Sequence, residues 1–186
     1  MIRRVLLRSA AAMGACVLLM AHSPYRQWDV YRRVRLVIVA SFEQQEAVRL
    51  GRRLVTALAR HIPESRAMFA RARDTNDLFR LLASRQLDVA LVDADDARDA
   101  AGGGGLGGAG IPLRSLAQVG PYLLVCRDDL PRAAAYRIAE ALADRWREIL
   151  EASDGPGGPR PDPSAGVPLH PGAAEYYDDH AARPER

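Results

Sequence analysis

Three carboxylates, Asp93, Asp95 and Asp96, follow directly on the predicted strand Leu87–Val92. An aspartate at the end of a buried strand suits phosphoryl transfer, in which it accepts the phosphoryl group while a separate acidic pair holds magnesium. That chemistry also needs an acidic pair after the first strand and a lysine near the phosphoryl group. Here the first strand ends in Ala40–Ser41–Phe42, the chain contains no lysine, and arginine is not a simple replacement for it. We therefore predict that these aspartates cap a helix, since helix N-termini favour acidic side chains.

A second group of polar residues is typical of a ligand-binding site. Ser41 and Phe42 follow the first predicted strand and offer a hydroxyl and an aromatic face. Thr75 and Asn76 begin a predicted helix, whose free backbone N–H groups attract carboxylates. With Asp93 these four form the predicted ligand-binding set. The alternative for each of them is an ordinary role in a turn or a helix cap.

Catalytic and metal-binding patterns are missing from the sequence. The four histidines do not stand at metal-ligand spacing, and no nucleophile elbow of the form G-x-S-x-G occurs. The chain has two cysteines, Cys16 and Cys126, and Cys126 lies in an apolar run that predicts a buried, inert thiol. Seven glycines between Gly102 and Gly110 match no phosphate-binding motif in this context and are interpreted as a flexible connection. We predict no enzyme, no metal and no cofactor.

The elements that would position the binding set alternate between strand and helix. Leu36–Ala40 is a β-branched apolar run of the kind that is buried on both faces. An amphipathic helix is predicted over Gln44–Arg60, a strand over Arg66–Ala72, a helix that begins at Asp74 or Thr75, and a third strand at Leu87–Val92. Successive βα units favour an α/β fold with a mostly parallel sheet flanked by helices, in which Leu36–Ala40 and Leu87–Val92 lie side by side. Parallel strands bring their following loops to one rim, where such sheets bind ligands.

The second half of the chain adds strands at Leu113–Val119 and Tyr122–Cys126 and a long helix after Pro131. We expect one lobe over residues 33–152. The Pro- and Gly-rich tail of residues 153–186 is predicted to contain an extended linker, Ser153–Pro168, and a short terminal helix, Pro171–His180.

The N-terminus has the features of an export signal. Arg3 and Arg4 precede twelve apolar residues, Ala10–Ala21, which is shorter than the roughly twenty of a membrane span. Residues 1–21 are therefore interpreted as a signal peptide, or alternatively as an uncleaved anchor in the inner membrane, and the protein is expected in the periplasm. Without this segment the chain has 23 arginines against 23 acidic residues, which gives no basic excess for nucleic-acid binding.

Three stretches of sequence resemble a known family. Arg73–Asp96 (RDTNDLFRLLASRQLDVALVDADD), Tyr122–Leu142 (YLLVCRDDLPRAAAYRIAEAL) and above all Val167–Tyr177 (VPLHPGAAEYY) are similar to TAXI-type solute-binding subunits of TRAP transporters. The resemblance implies a periplasmic-binding-protein-like lobe, a small and anionic ligand such as an organic acid or amino acid, and a TRAP-type membrane permease as partner. The chain departs from the family in two places. The region where the second lobe is expected is replaced by little more than the glycine run and two short strands. The usual glycine-rich turn after the first strand is replaced by Ser41–Phe42–Glu43.

Two hypotheses follow from this comparison. In the first, the chain binds a solute at the rim for a TRAP/TAXI-type transport system. In the second, it is a non-transporting periplasmic accessory or scaffold protein that kept the lobe and lost ligand binding.

Overall fold

The structure is a computed structural model, and it describes residues 35–104, 110–145, 149 and 166–181. The predicted signal peptide or anchor and most of the predicted linker lie outside the described residues. Among the residues that are described, no helix is both long and apolar enough to cross a membrane.

Five strands and five α-helices make up the described part of the chain. In order they are β1 (Val37–Ser41), α1 (Gln45–His61), β2 (Met68–Ala72), α2 (Thr75–Ala83), β3 (Val89–Asp93), α3 (Ala94–Gly102), β4 (Leu113–Val119), β5 (Tyr122–Arg127), α4 (Arg132–Asp144) and α5 (Pro171–Ala181). A short 3₁₀ helix, Pro63–Ser65, connects α1 to β2. The structure confirms the α/β class.

The five strands form one sheet in the order β2-β1-β3-β5-β4. β1 pairs in parallel with both β2 and β3, and Ile38 lies opposite Val89, so the predicted neighbours β1 and β3 are confirmed. The expectation of a mostly parallel sheet is not confirmed, because the sheet is mixed: β5 runs antiparallel to β3 and to β4. The tight turn at Gly120–Pro121 makes β4 and β5 antiparallel, since strands joined by so short a connection cannot be parallel. The long-range pairing of β5 with β3 adds the second antiparallel pair.

Each face of the sheet carries its own core. Ile38, Ala40, Val89 and Leu91 face one core with α1 and α4. Val39, Ala90 and Val92 face the other with α2 and α3. Strands β1 and β3 are buried on both faces, which explains why their sequences are continuously apolar rather than alternating.

Helix α1 packs its apolar stripe on the sheet, as its spacing predicts, with one close approach. Leu54 and Leu58 are fully buried, whereas Ala59, which the pattern placed on the apolar side, is exposed. Gly51 lies so close to the ring of Phe69 that a Cβ atom there would collide with it. A small residue in α1 therefore lets the helix approach strand β2.

The terminal helix α5 confirms the predicted helix at Pro171–His180 and packs against α4. Arg132 Nε donates to Glu175 Oε2 at 2.7 Å, and the rings of Tyr136 and Tyr176 meet edge to face with centroids 5.5 Å apart. A Cβ atom on Gly172 would collide with the carbonyl oxygen of Arg132. The contact between the two helices therefore requires glycine at this position.

Candidate functional site

The carboxyl ends of β1, β2 and β3 lie at one edge of the sheet, here called the rim. Ser41 at the end of β1 is in register with Ala72 at the end of β2, and the Phe42 N–H donates to the Ala72 carbonyl at 2.9 Å. Asp93 ends β3 and pairs with Tyr122 at the start of β5. The loops that carry the predicted binding residues therefore emerge from the same edge.

The chain leaves β1 and β3 toward opposite faces of the sheet. Helix α1 follows β1 and packs in the core that contains Ile38, whereas α3 follows β3 and packs in the core that contains Val39. Two adjacent parallel strands whose next helices diverge in this way open a crevice between them, and ligands of open α/β sheets bind in such crevices. The space between the ends of β1 and β3 is therefore the candidate functional site.

A side-chain hydrogen bond crosses this crevice. Gln44, immediately before α1, donates from Nε2 to Oδ2 of Asp96 in the first turn of α3 at 2.9 Å. The pKa of Asp96 is raised chiefly by burial and further by the charges of Asp93, Asp99 and Asp95, against the opposing effect of Gln44. The bridge thus satisfies a half-buried carboxylate with a group of the protein itself.

Tyr122 occupies the neighbouring part of the rim. Its half-buried side chain packs against the core that contains α1. Burial raises the pKa of Tyr122, and the charges of Asp93 and Glu46 raise it further. An aromatic side chain therefore lies between the ends of β3 and α1, where a ligand in the crevice would need space.

Ser41 and Phe42 have very different environments. Ser41 is buried, and its hydroxyl oxygen accepts a hydrogen bond from the Glu43 N–H at 3.3 Å, inside its own turn. The Phe42 side chain is 52% exposed, and the guanidinium of Arg71 lies 5.3 Å from its ring centroid. Of the two, only Phe42 presents its side chain to solvent.

Thr75 and Asn76 begin α2 as predicted, at a helix end that already holds a carboxylate. Asp74 caps the helix by accepting from the Asp77 N–H at 2.7 Å, and Arg73 donates to it at 2.8 Å. The pKa of Asp74 is lowered first by this backbone hydrogen bond and then by Arg73. An anionic ligand at this N-terminus would have to share its place with the Asp74 carboxylate.

Asp93 has the same kind of role at α3. It caps the helix, and its Oδ1 accepts from the Asp95 N–H at 2.9 Å. The aspartates that follow β3 are thus helix-capping and first-turn residues, as the sequence predicts. They also make this part of the rim acidic, which disfavours the anionic ligand that the family resemblance implies.

No metal or thiol chemistry is visible in the described segments. They contain no group of three or more His, Cys, Asp or Glu side chains that could hold a metal ion. Cys126 is buried in β5, and burial strongly raises the pKa of its thiol, which suppresses the reactive thiolate.

The tail motif Val167–Tyr177 attaches α5 to the edge of the sheet. Leu169 forms a parallel bridge with Ser115, whose N–H donates to the Pro168 carbonyl at 2.9 Å and whose carbonyl accepts from the His170 N–H at 2.8 Å. The hydroxyl of Tyr177 donates to the Leu116 carbonyl at 3.2 Å.

His170 is the buried centre of this attachment. Its Nδ1 accepts from the Gly172 N–H at 3.1 Å, so Nε2 must carry the proton that is donated to the Leu130 carbonyl at 3.0 Å. Burial lowers the pKa of His170, which keeps the ring neutral. Both ring nitrogens therefore make structural hydrogen bonds, and the motif Val167–Tyr177 serves to attach α5 to the sheet.

The loops of the rim are predictable from the sequence, whereas the positions of Gln44 and Tyr122 beside Asp96 and Asp93 are not. Gln44 precedes Asp96 by 52 positions in the chain, and no local pattern links them. One feature of the sequence does indicate the position of Tyr122. It directly follows the turn Gly120–Pro121 and so begins strand β5.

Comparison with known proteins adds no relative. Neither the models of known protein families nor the curated proteins contain a match to this chain.

Proposed function

We propose that this chain is a non-catalytic accessory protein of the periplasm, built on a single lobe of the solute-binding type and no longer adapted to capture a solute. The observation that supports this proposal best is the hydrogen bond between the two sides of the crevice: Gln44 and Asp96 are joined at 2.9 Å. Tyr122 and the Ser41 hydroxyl are likewise engaged with neighbouring parts of the protein. A binding site normally leaves convergent polar groups available to its ligand.

On this proposal, the motif that carries the family resemblance has a structural role. The motif Val167–Tyr177, on which the resemblance to TAXI-type proteins depends most, fastens α5 to β4 and α4. A lobe can keep such a motif for stability after its ligand site is lost. The sequence feature that supports export is the N-terminal segment Met1–Ala21.

The second candidate is a solute-binding component of a TRAP/TAXI-type transport system. It is favoured by one observation, the exposed ring of Phe42 beneath the guanidinium of Arg71. Together with Thr75 and Asn76, this pair offers a cation, an aromatic face and a helix N-terminus next to the end of β2. Such a surface suits a small organic acid better than the acidic crevice does.

Two measurements separate the candidates. Thermal unfolding in the presence of dicarboxylates and amino acids should show a concentration-dependent rise for a solute-binding protein and no rise for an accessory protein. A matched comparison uses Arg71→Gln, which should abolish any rise that depends on the Phe42–Arg71 pair.

The accessory proposal also has a positive test in cells. A tagged chain should be found in the periplasmic fraction. It should co-purify with one defined membrane or periplasmic partner. In the reciprocal experiment, the tagged partner should co-purify with the untagged chain. A chain retained in the cytosol would contradict the proposal.

A further inference from the structure

In the described part of the chain, the outer side of β2 is an open sheet edge. β2 is the first strand in the order of the sheet, and in the described part of the chain only β1 pairs with it. The Met68 N–H donates to the Leu36 carbonyl at 2.8 Å, and the Ala72 carbonyl accepts from Phe42, so these backbone groups point to β1. Because successive residues of a strand point their backbone groups to opposite sides, Phe69 and Arg71 direct theirs to the open edge.

Open edges of this kind bind further strands unless the sequence prevents it. β2 contains no proline, and in the described structure its register with β1 runs without a bulge from Met68 to Ala72. It also bears Met68, one of the exposed large hydrophobic residues, at 43%. These features suit pairing with another strand.

We infer that β2 pairs with β2 of a second copy of this chain, antiparallel and about a twofold axis at Ala70. In this register Phe69 of each copy lies opposite Arg71 of the other. Both residues present their N–H and C=O groups outward, so each pair exchanges two hydrogen bonds. The ten-strand sheet that results is closed by symmetry and has no further open β2 edge.

The side chains of β2 are complementary to themselves in the same register. Phe69 and Arg71 lie on the α1 face, like their β1 partners Ile38 and Ala40. In this register Arg71 of each copy, whose guanidinium lies over Phe42 of its own chain, is directly opposite Phe69 of the other copy, and arginine opposite an aromatic residue is a favourable cross-strand pair. Met68 lies opposite Ala72, so a large side chain meets a small one. A shift that centres the axis on Arg71 would instead bring two guanidinium groups together. The match of side-chain sizes and the separation of the two guanidinium groups therefore favour this register between two copies.

The first test measures the oligomeric state of the full-length protein by sedimentation velocity over a range of concentrations. We expect a monomer–dimer equilibrium. Arg71→Pro removes one outward N–H and no bond to β1, and it should weaken the dimer at least tenfold. Arg71→Gln keeps that N–H and should weaken the dimer less than Arg71→Pro. Circular dichroism and thermal unfolding verify that both variants are folded.

The second test traps the predicted register. Ala70→Cys, introduced together with Cys16→Ser, puts two thiols at the twofold axis in a non-hydrogen-bonded pair, where the backbones are closest. We expect rapid formation of a disulfide-linked dimer, and much slower formation for Ala59→Cys on the exposed side of α1. The native Cys126 is buried and does not interfere. A protein that is monomeric at all concentrations would overturn the inference, as would equal cross-linking of the two cysteine variants or an Arg71→Pro variant that dimerises normally.

Discussion

At the scale of single residues, the Gln44–Asp96 hydrogen bond makes a direct prediction. Gln44→Ala removes the group that opposes the upward shift of the Asp96 pKa, so that pKa should rise further. The variant should also lose about 1 kcal/mol of stability near neutral pH, since a half-buried carboxylate is left without its donor. An NMR titration of the Asp96 carboxyl carbon and a urea denaturation curve measure both effects.

The matched control for this bridge is Gln45→Ala. The neighbouring Gln45 donates to the Phe42 carbonyl at 2.7 Å and is exposed, so its loss should leave the Asp96 pKa where it is. Equal titration curves for Asp96 in the wild type and in Gln44→Ala would show that the bridge does not form in solution.

His170 predicts how stability depends on pH. Its folded-state pKa is lowered, by burial first and then by the charges of Arg114 and Arg132, against a hydrogen bond to Leu130. The unfolded chain therefore binds the proton at a higher pH than the folded chain. The contribution of His170 is fully present above about pH 6.5 and is lost as the pH falls toward the lowered pKa.

His170→Asn tests this dependence because asparagine can still cap the Gly172 N–H. The fall in unfolding temperature between about pH 7 and about pH 5 should be smaller in the variant than in the wild type. His61 and His180 are present in both proteins and cancel in the comparison. An identical fall in the two proteins would mean that the buried ring takes up its proton without cost.

At the scale of elements, the start of α2 depends on one cap. Asp74→Ala removes the acceptor of the Asp77 N–H and should measurably lower the free energy of unfolding. Asn76→Ala in the same turn is the control: its side chain is exposed, and we expect a change within about 0.5 kcal/mol. A thermal or chemical denaturation series would contradict the assignment if the two variants were equally stable.

The contact between α4 and α5 has its own pair of variants. Gly172→Ala places a methyl group against the Arg132 carbonyl and should destabilise the protein by about 1–3 kcal/mol. Gly102→Ala, with open space around its Cβ position at the end of α3, should be neutral or slightly stabilising. Urea unfolding that showed no difference between them would argue against the docked position of α5.

The elements that sequence could predict are those whose local pattern decides them. The apolar runs at β1 and β3, the stripe of α1 and the Asp74 cap are all local, and each is confirmed. Strand order is different, because β5 enters between β3 and β4 through long-range pairing such as Leu91 with Leu124. The mixed sheet follows from that pairing, and so do the contacts of Gln44 and Tyr122 that fill the crevice.

At the scale of the whole molecule, the rim is where open α/β sheets bind ligands, and in this chain its polar groups are bonded to one another. Asp74 and Asp93 cap their helices, Gln44 holds Asp96, and Tyr122 lies against α1. Each of these interactions stabilises the fold, and each uses a group that a ligand would otherwise contact. We therefore propose a structural role for the lobe, with the edge of β2 that is open in the described part of the chain as the surface for association.

The measurement that tests this claim most directly is thermal unfolding of the purified protein against a graded series of dicarboxylates and amino acids. A ligand at 100 times its dissociation constant would stabilise the native state by about 2.7 kcal/mol, a shift of several degrees for a domain of this size. We predict no shift with any member of the series at millimolar concentration. A rise that grows with concentration and disappears in Arg71→Gln would contradict the account and assign a solute-binding role to the rim.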